Sequence, residues 1–290
     1  MPQTTIAINA NTITATISIL PAIFCFVILN DPNKLFVKSS KIGLDLFNNK
    51  TLLKELEDYE WFPAVLRNYQ TDYIGFIVSA FSIYQPFIDK LQSTTLPHKM
   101  FDLCSGSGEP AYSIFCKSKA WSSFTASDKF PRPVHFANQA AKYLQHSTDV
   151  MEMAFNSENT YTMFNAFHHF SEAQQISIIN RMTQSNAKAY FVEILEPGLW
   201  FSFKILFTTT VGQVLLMPFV KPFSLKRLLF TYIIPINIIT IATDGLISVF
   251  KSKSVEQYQL RFKQFGDTVR IYRLQKGFRT QIVIETIPQQ

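Results

Sequence analysis

Asp102, Cys104, Gly106 and Gly108 recur at every second position in the stretch Asp102-Leu103-Cys104-Ser105-Gly106-Ser107-Gly108-Glu109-Pro110. An acid that ends a strand, then a turn of small residues, then a helix start can hold a nucleotide-like ligand. The glycines let backbone come close to it, and the helix N-terminus offers unpaired N–H groups. Met100 and Phe101 supply the apolar run before the turn, and Ala111 to Lys117 reads as the helix after it. Pro110 suits the first helical turn, where its missing N–H is not needed. The spacing is not the G-x-G-x-x-G that seats a dinucleotide pyrophosphate. An acid ahead of the glycines repels a pyrophosphate and suits a ligand that carries an ammonium group.

Further groups follow in order. Asp128 lies 26 residues after Asp102 and ends the next apolar run, Ser123 to Ser127. A carboxylate there can accept both hydroxyls of a ribose, and Lys129 can border the base. Phe164 to Phe170 holds Asn165 and the pair His168-His169. An imidazole, with an ordinary pKa of about 6.5, can take a proton from a nucleophile, or simply cap or pack. Glu193 and Glu196 stand where the run after Phe191 ends and can face a substrate. The cysteines, Cys25, Cys104 and Cys116, form no CxxC pair, which argues against a zinc site and a disulfide framework. No metal is expected, and reduced cytosolic thiols are.

The elements that must position these groups are legible as patterns. From 100 to 196 strands and helices alternate. Ser123 to Ser127, Tyr161 to Ala166 and Ala189 to Leu195 read as strands, and His135 to Leu144 as a helix. Ser171-Glu172-Ala173-Gln174 is a capping box, followed by Ile176, Ile179 and Met182 on one helical face. Such alternation implies a parallel sheet with helices on both faces, and ligands in these sheets sit at the carboxyl ends of strands. Val269 to Leu274, a turn at Gln275-Lys276-Gly277 and Gln281 to Ile287 read as an antiparallel hairpin. Upstream, Leu52, Leu53, Leu56 and Tyr59, then Tyr73, Ile77, Phe81 and Tyr84, recur at helical spacing. This preface is expected to be a lid or a stripe packed on the core.

Taken together and in order, these motifs resemble the class I S-adenosylmethionine-dependent methyltransferases, over 98–198 and 268–287. Motif I of that family is usually D-x-G-x-G-x-G; here Cys104 replaces the first glycine. The resemblance implies an α/β fold: a Rossmann-like methyltransferase sheet with helices on both faces, a helical lid before it and an apolar helical insertion. It implies S-adenosylmethionine as cofactor, cradled by Asp102, Cys104, Ser105, Gly106 and Gly108, with its ribose on Asp128. Lys129, Asp149 and Val150 then lie at the adenine, and Asn165 at the strand end facing the cofactor. His168 or His169 is the expected base. The segment is not D/N-P-P-Y, so amino methylation of nucleic-acid bases is not expected. The implied organisation is an apolar leader at 1–34, a lid region at 35–97, and a methyltransferase domain at 98–290 with an insertion at about 199–250. A bacterial subgroup of these enzymes shares that insertion.

The chain has 290 residues, enough for one large domain. It is 47% hydrophobic, carries 28 phenylalanines, and has a net charge of +6. Its cations are spread out, so nucleic acid is not demanded, and an anionic membrane surface fits at least as well. Residues 1–30 are uncharged, without the basic start of a secretory signal; they read as a packed or poorly ordered leader, with a membrane anchor as the rival. Ile205 to Val220 and Leu228 to Thr243 are two apolar runs of sixteen residues each, short of the roughly 20 a spanning helix needs. Lys221, Lys226 and Arg227 between them favour a membrane-surface or lipid-substrate cover over a spanning hairpin or a packed core. The expected function is methyl transfer to a small or lipophilic acceptor, in the cytoplasm or at a membrane surface. The alternative is a membrane-associated binding or scaffold protein without turnover.

Overall fold

The alternation seen in the sequence becomes a seven-stranded sheet of order β3-β2-β1-β4-β5-β7-β6. The structure is a computed structural model that describes residues 54–92 and 98–289. The leader at 1–34, Cys25, Leu52 and Leu53 lie outside the described residues. The strands are β1 (His98–Asp102), β2 (Trp121–Ala126), β3 (Ala141–Tyr143), β4 (Asn159–Phe164), β5 (Lys188–Glu193), β6 (Val269–Lys276) and β7 (Arg279–Thr286). β1 to β5 pair in parallel. β7 runs antiparallel to both β5 and β6, so the hairpin closes the sheet. β4 and β5 are central and covered on both faces, so five of the six residues in each are buried.

Two helices precede the sheet, α1 (Ala64–Ala80) and α2 (Gln85–Gln92). Within and after it come α3 (Ala111–Ser118), α4 (Glu172–Gln184), α5 (Leu199–Phe207), α6 (Gln213–Leu216), α7 (Leu225–Tyr232), α8 (Ile236–Lys251) and α9 (Val255–Arg261). Phe87 and Leu91 of α2 and Ile114 and Phe115 of α3 pack on one sheet face against Met100, Phe124, Val192 and Val283. Ile178, Ile179 and Met182 of α4 and Tyr258 of α9 pack on the other, against Tyr161, Met163, Phe191 and Ile284. Each such fully buried side chain stabilises the fold by roughly 1.5–3 kcal/mol.

The lid region divides. α2 is built into the core, whereas α1 lies over the glycine turn, with Ser107 Oγ donating to the Thr71 carbonyl at 3.4 Å. The stripe from Tyr73 to Tyr84 is not one helix: α1 stops at Ala80, Ser82 has φ +48°, and Tyr84 turns into the core against Phe164, with ring centroids 5.1 Å apart. Leu56–Asp58 is a single 3₁₀ turn.

The helix expected at His135–Leu144 does not form. Residues 127–140 are irregular and end in β3. Phe136 instead stacks on Tyr112 at 4.4 Å, and the Asn138 carboxamide caps the Ala140 N–H at 2.9 Å. The capping box at Ser171 is present: its Oγ accepts from the Gln174 N–H, and Gln174 Oε1 accepts from the Ser171 N–H.

The two apolar runs of the insertion have different fates. α8 is buried along a wide face, including Asn237, Thr240, Ile241, Asp244, Ile247 and Ser248. α5 to α7 turn Trp200, Phe203, Leu215, Phe219, Leu225 and Ile233 outward.

Candidate active site

The carboxyl ends of β1, β2, β4 and β5 carry the residues expected at the cofactor and as base, except Asp149 and Val150, which follow β3. Asp102 ends β1 and is buried, and Thr162 Oγ1 of neighbouring β4 donates to its Oδ1 at 2.6 Å. Burial pushes its carboxyl up to about 7, and the other groups that act on it, Thr162, Ser105 and Asp128, include no cation. A buried carboxylate facing no cation can take an ammonium group as its partner.

Above it the chain turns tightly. Cys104, Gly106 and Gly108 all have positive φ, at +54°, +53° and +86°. A Cβ on Gly108 would lie 2.8 Å from the Phe136 ring, so only glycine fits there. Cys104 holds the left-handed conformation without a glycine's freedom, a strain of about 1–2 kcal/mol. Its thiol is pushed well up by burial, then by Asp128 and Asp102. Ser105 is buried; its N–H donates to the Ser127 carbonyl at 2.9 Å and its Oγ to the Asp102 carbonyl at 3.1 Å, tying the turn to β1 and β2.

Asp128 follows β2. Its Oδ2 accepts from the Gly106 N–H and its Oδ1 from the Phe130 N–H, both at 2.8 Å. This fixes the second acid beside the turn. Lys129 pairs with Asp149 at 3.1 Å, and Asp149 Oδ1 also accepts from the Met151 N–H at 2.9 Å. Val150 is buried next to them. Asn165, at φ +50°, follows β4, and its N–H donates to the Val192 carbonyl at 2.8 Å.

The histidine pair sits in a 3₁₀ turn, Phe167–His169, just beyond β4. His168 is fully buried, and its Nδ1 meets Glu193 Oε2 at 2.5 Å. Glu193 Oε1 accepts from the Phe167 N–H at 2.8 Å. Burial pushes Glu193 up, but His168, the Phe167 N–H and His169 together hold the carboxyl below its ordinary value. His169 places Nδ1 3.1 Å from both oxygens of Asp58, and Nε2 3.4 Å from Glu55 Oε2. Burial pulls its pKa down, but Glu55 and Asp58 dominate and raise it to about 10. Glu55 also accepts from Ser248 Oγ at 2.7 Å and from Lys251 Nζ at 3.0 Å. Asp244 Oδ1 accepts from the Leu56 N–H at 2.7 Å, and its Oδ2 from Gln70 Nε2 at 2.8 Å.

Glu55, Asp58 and Asp244 were not anticipated as site residues. Their sequence signals are the acidic run from Glu55 to Glu60 and a lone acid inside the apolar segment that becomes α8. Glu196, by contrast, pairs at the surface with Arg273 at 2.7 Å.

No protein-family model matches the chain, and no curated protein does either. Solved structures do resemble it. Human N-acetylserotonin methyltransferase, crystallised in complex with SAM, superposes with a TM-score of 0.51 at 11% identity, over 85% of this chain and 66% of that one. The plantazolicin methyltransferase BpumL, crystallised with SAH, superposes at 0.48 and 9% identity, over 85% and 97%. The pyocyanin biosynthetic protein PhzM superposes at 0.44 and 11%, over 72% and 56%. The chain thus spans just under two thirds of the human enzyme's length. At such identities the first likeness establishes the fold and nothing beyond it. With its strand order and closing hairpin, the chain has the class I S-adenosylmethionine-dependent methyltransferase fold.

Proposed function

We propose that the chain is an S-adenosylmethionine-dependent methyltransferase acting on a small, lipophilic acceptor at a membrane surface. The observation that carries the reading is the buried Asp102 carboxylate beneath the Cys104–Gly108 turn, with Asp128 fixed beside it. Asp102 meets the cofactor ammonium, and the turn receives its amino-acid end. Asp128 meets the ribose, and Lys129, Asp149 and Val150 border the adenine. When bound, the cofactor supplies a sulfonium methyl, which passes to a nucleophilic atom of the acceptor as S-adenosylhomocysteine leaves. The acceptor's proton is handled at the His168–His169 pair, beside the β4 end and Asn165.

The acceptor class comes from α5 to α7. Trp200 is 63% exposed and Leu225 is 74% exposed, in company with Phe203, Phe219, Phe223 and Ile233. So large an apolar face marks a contact with apolar matter. Lys204, Lys221 and Lys226 are exposed among these residues, and Lys204 Nζ lies 5.3 Å from the Trp200 ring centre. Cations bordering an apolar face fit an anionic lipid surface. Leu199–Phe219 is apolar and, at 21 residues, long enough to cross a membrane, whereas α7 and α8 meet at a 76° bend. The Asp244 bonds to Leu56 and Gln70 anchor α8 inside the protein, which favours an in-plane cover over a spanning hairpin.

Calorimetry of the full chain with S-adenosylmethionine and with NAD tests the cofactor. Binding of the first alone is expected; no binding of it ends the reading. Binding without methyl transfer to any lipophilic acceptor would favour a scaffold. Flotation with vesicles tests the surface: binding is expected with anionic vesicles and is weakened by Trp200→Ser with Phe203→Ser. Equal recovery with and without vesicles would remove the membrane from the proposal.

A further inference from the structure

Both histidines of the pair are held in the same way. His168 Nδ1 is engaged by Glu193 and His169 Nδ1 by Asp58. A carboxylate on Nδ1 holds a proton there and directs Nε2 away from it, which is how a metal-binding imidazole is supported once an ion takes the place of the Nε2 proton. Both Nε2 atoms turn to one carboxylate: His168 Nε2 lies 4.0 Å from Glu55 Oε1 and His169 Nε2 lies 3.4 Å from Glu55 Oε2. One ligand atom from each of the three residues lies within 4.8 Å of the others. Ion–ligand bonds of about 2.0–2.2 Å place ligand atoms about 3–4 Å apart, so small movements close the set.

A second observation points to a missing partner. The His168 side chain is fully buried, and its Nε2 has no hydrogen-bond partner among the described residues. A buried polar atom left so is costly unless something occupies it. Charge agrees. Glu55, Glu57, Asp58 and Glu193 gather around the pair, and Lys251 lies 3.0 Å from Glu55. Ser248 and Lys251 each take one Glu55 oxygen, and a carboxylate has about four lone-pair sites, so capacity remains for an ion.

We infer that Glu55, His168 and His169 bind one divalent first-row transition ion, of the class of zinc, cobalt or manganese. Two imidazoles and a carboxylate suit such ions better than calcium or magnesium, which prefer all-oxygen sites. Three protein ligands leave positions open, and His169, 17% exposed, marks the side from which an acceptor hydroxyl or a water reaches them. The inference deepens the assignment of the pair to the acceptor's proton, because an ion there acidifies a bound hydroxyl.

The test uses the full chain, stripped with a chelator and titrated with cobalt and zinc. One equivalent of zinc by elemental analysis and a visible cobalt spectrum are expected. Glu55→Gln and His169→Gln should each weaken binding at least roughly tenfold, while exposed His135→Gln leaves it unchanged. Zinc should also shield the peptide carrying His169 from diethyl pyrocarbonate, which needs no variant. Absence of uptake at micromolar metal, unchanged affinity in Glu55→Gln and His169→Gln, or modification of His169 regardless of zinc would overturn the site. S-adenosylmethionine binding by the same samples is read separately, so failure of one reading is not mistaken for failure of the other.

Discussion

At the residue scale the decisive fact is an acid held where water cannot reach it. Asp102 has an ordinary carboxylate pKa near 3.8 when unfolded and about 7 when folded. Its protonated form therefore suits the fold better, and its ionisation opposes folding increasingly as pH rises from about 4 through about 7. Asp102→Asn is expected to raise the melting temperature of the cofactor-free chain at pH 8 and hardly at pH 4. The same change should weaken S-adenosylmethionine binding at least about tenfold, since a hydrogen bond to a charged group is worth roughly 1.5–3 kcal/mol. Melts at the two pH values and calorimetry check both; gain of stability without loss of affinity would move the ammonium elsewhere. Cys104 is the other residue with a clear expectation. Its thiol is pushed well up by burial, whereas Cys116 is exposed. Alkylation at neutral pH followed by peptide mass mapping should find Cys116 modified well before Cys104.

At the scale of elements, local rules hold where the chain is locally determined. The Ser171 box starts α4 as its letters require, and Ser171→Ala should cost about 1 kcal/mol in urea unfolding. The close approach of α5 and α8 has no such local signal. A Cβ on Gly245 would lie 2.7 Å from Ile205 Cγ2 and 3.4 Å from Thr209 Cγ2. Gly245→Ala is expected to destabilise by about 1–3 kcal/mol through overpacking, with a matching shift of the urea midpoint at constant slope. The failed helix at His135–Leu144 teaches the converse. There Phe136 stacks on Tyr112 and the Asn138 carboxamide takes the Ala140 N–H, contacts that no run of letters announces.

At the scale of the whole molecule, two apolar runs of equal length part company. α8 carries Asp244 and Ser248 into the site, while α5 to α7 face outward. If the outward face meets anionic lipid, Lys221→Glu with Lys226→Glu should cut vesicle partitioning by roughly tenfold or more, at about 1 kcal/mol for each cation near the surface. Partitioning that survives this change and is insensitive to salt would mean that the apolar side chains alone hold the protein there.

Six of the seven strands, and the strand-end residues proposed for the cofactor, were legible in the letters alone; β3 was not. Those depend on short-range grammar: an acid and a glycine turn after a strand, a second acid after the next, and a hairpin at the end. Only tertiary structure decided the rest. Glu55 and His168 are separated by more than a hundred residues, and α8 meets the Glu55 segment through Ser248 and Asp244. No periodicity encodes such a meeting, because it depends on where the insertion folds back onto the lid region. For the same reason hydropathy alone could not tell the buried apolar run from the exposed one: burial is set by which neighbours cover a helix.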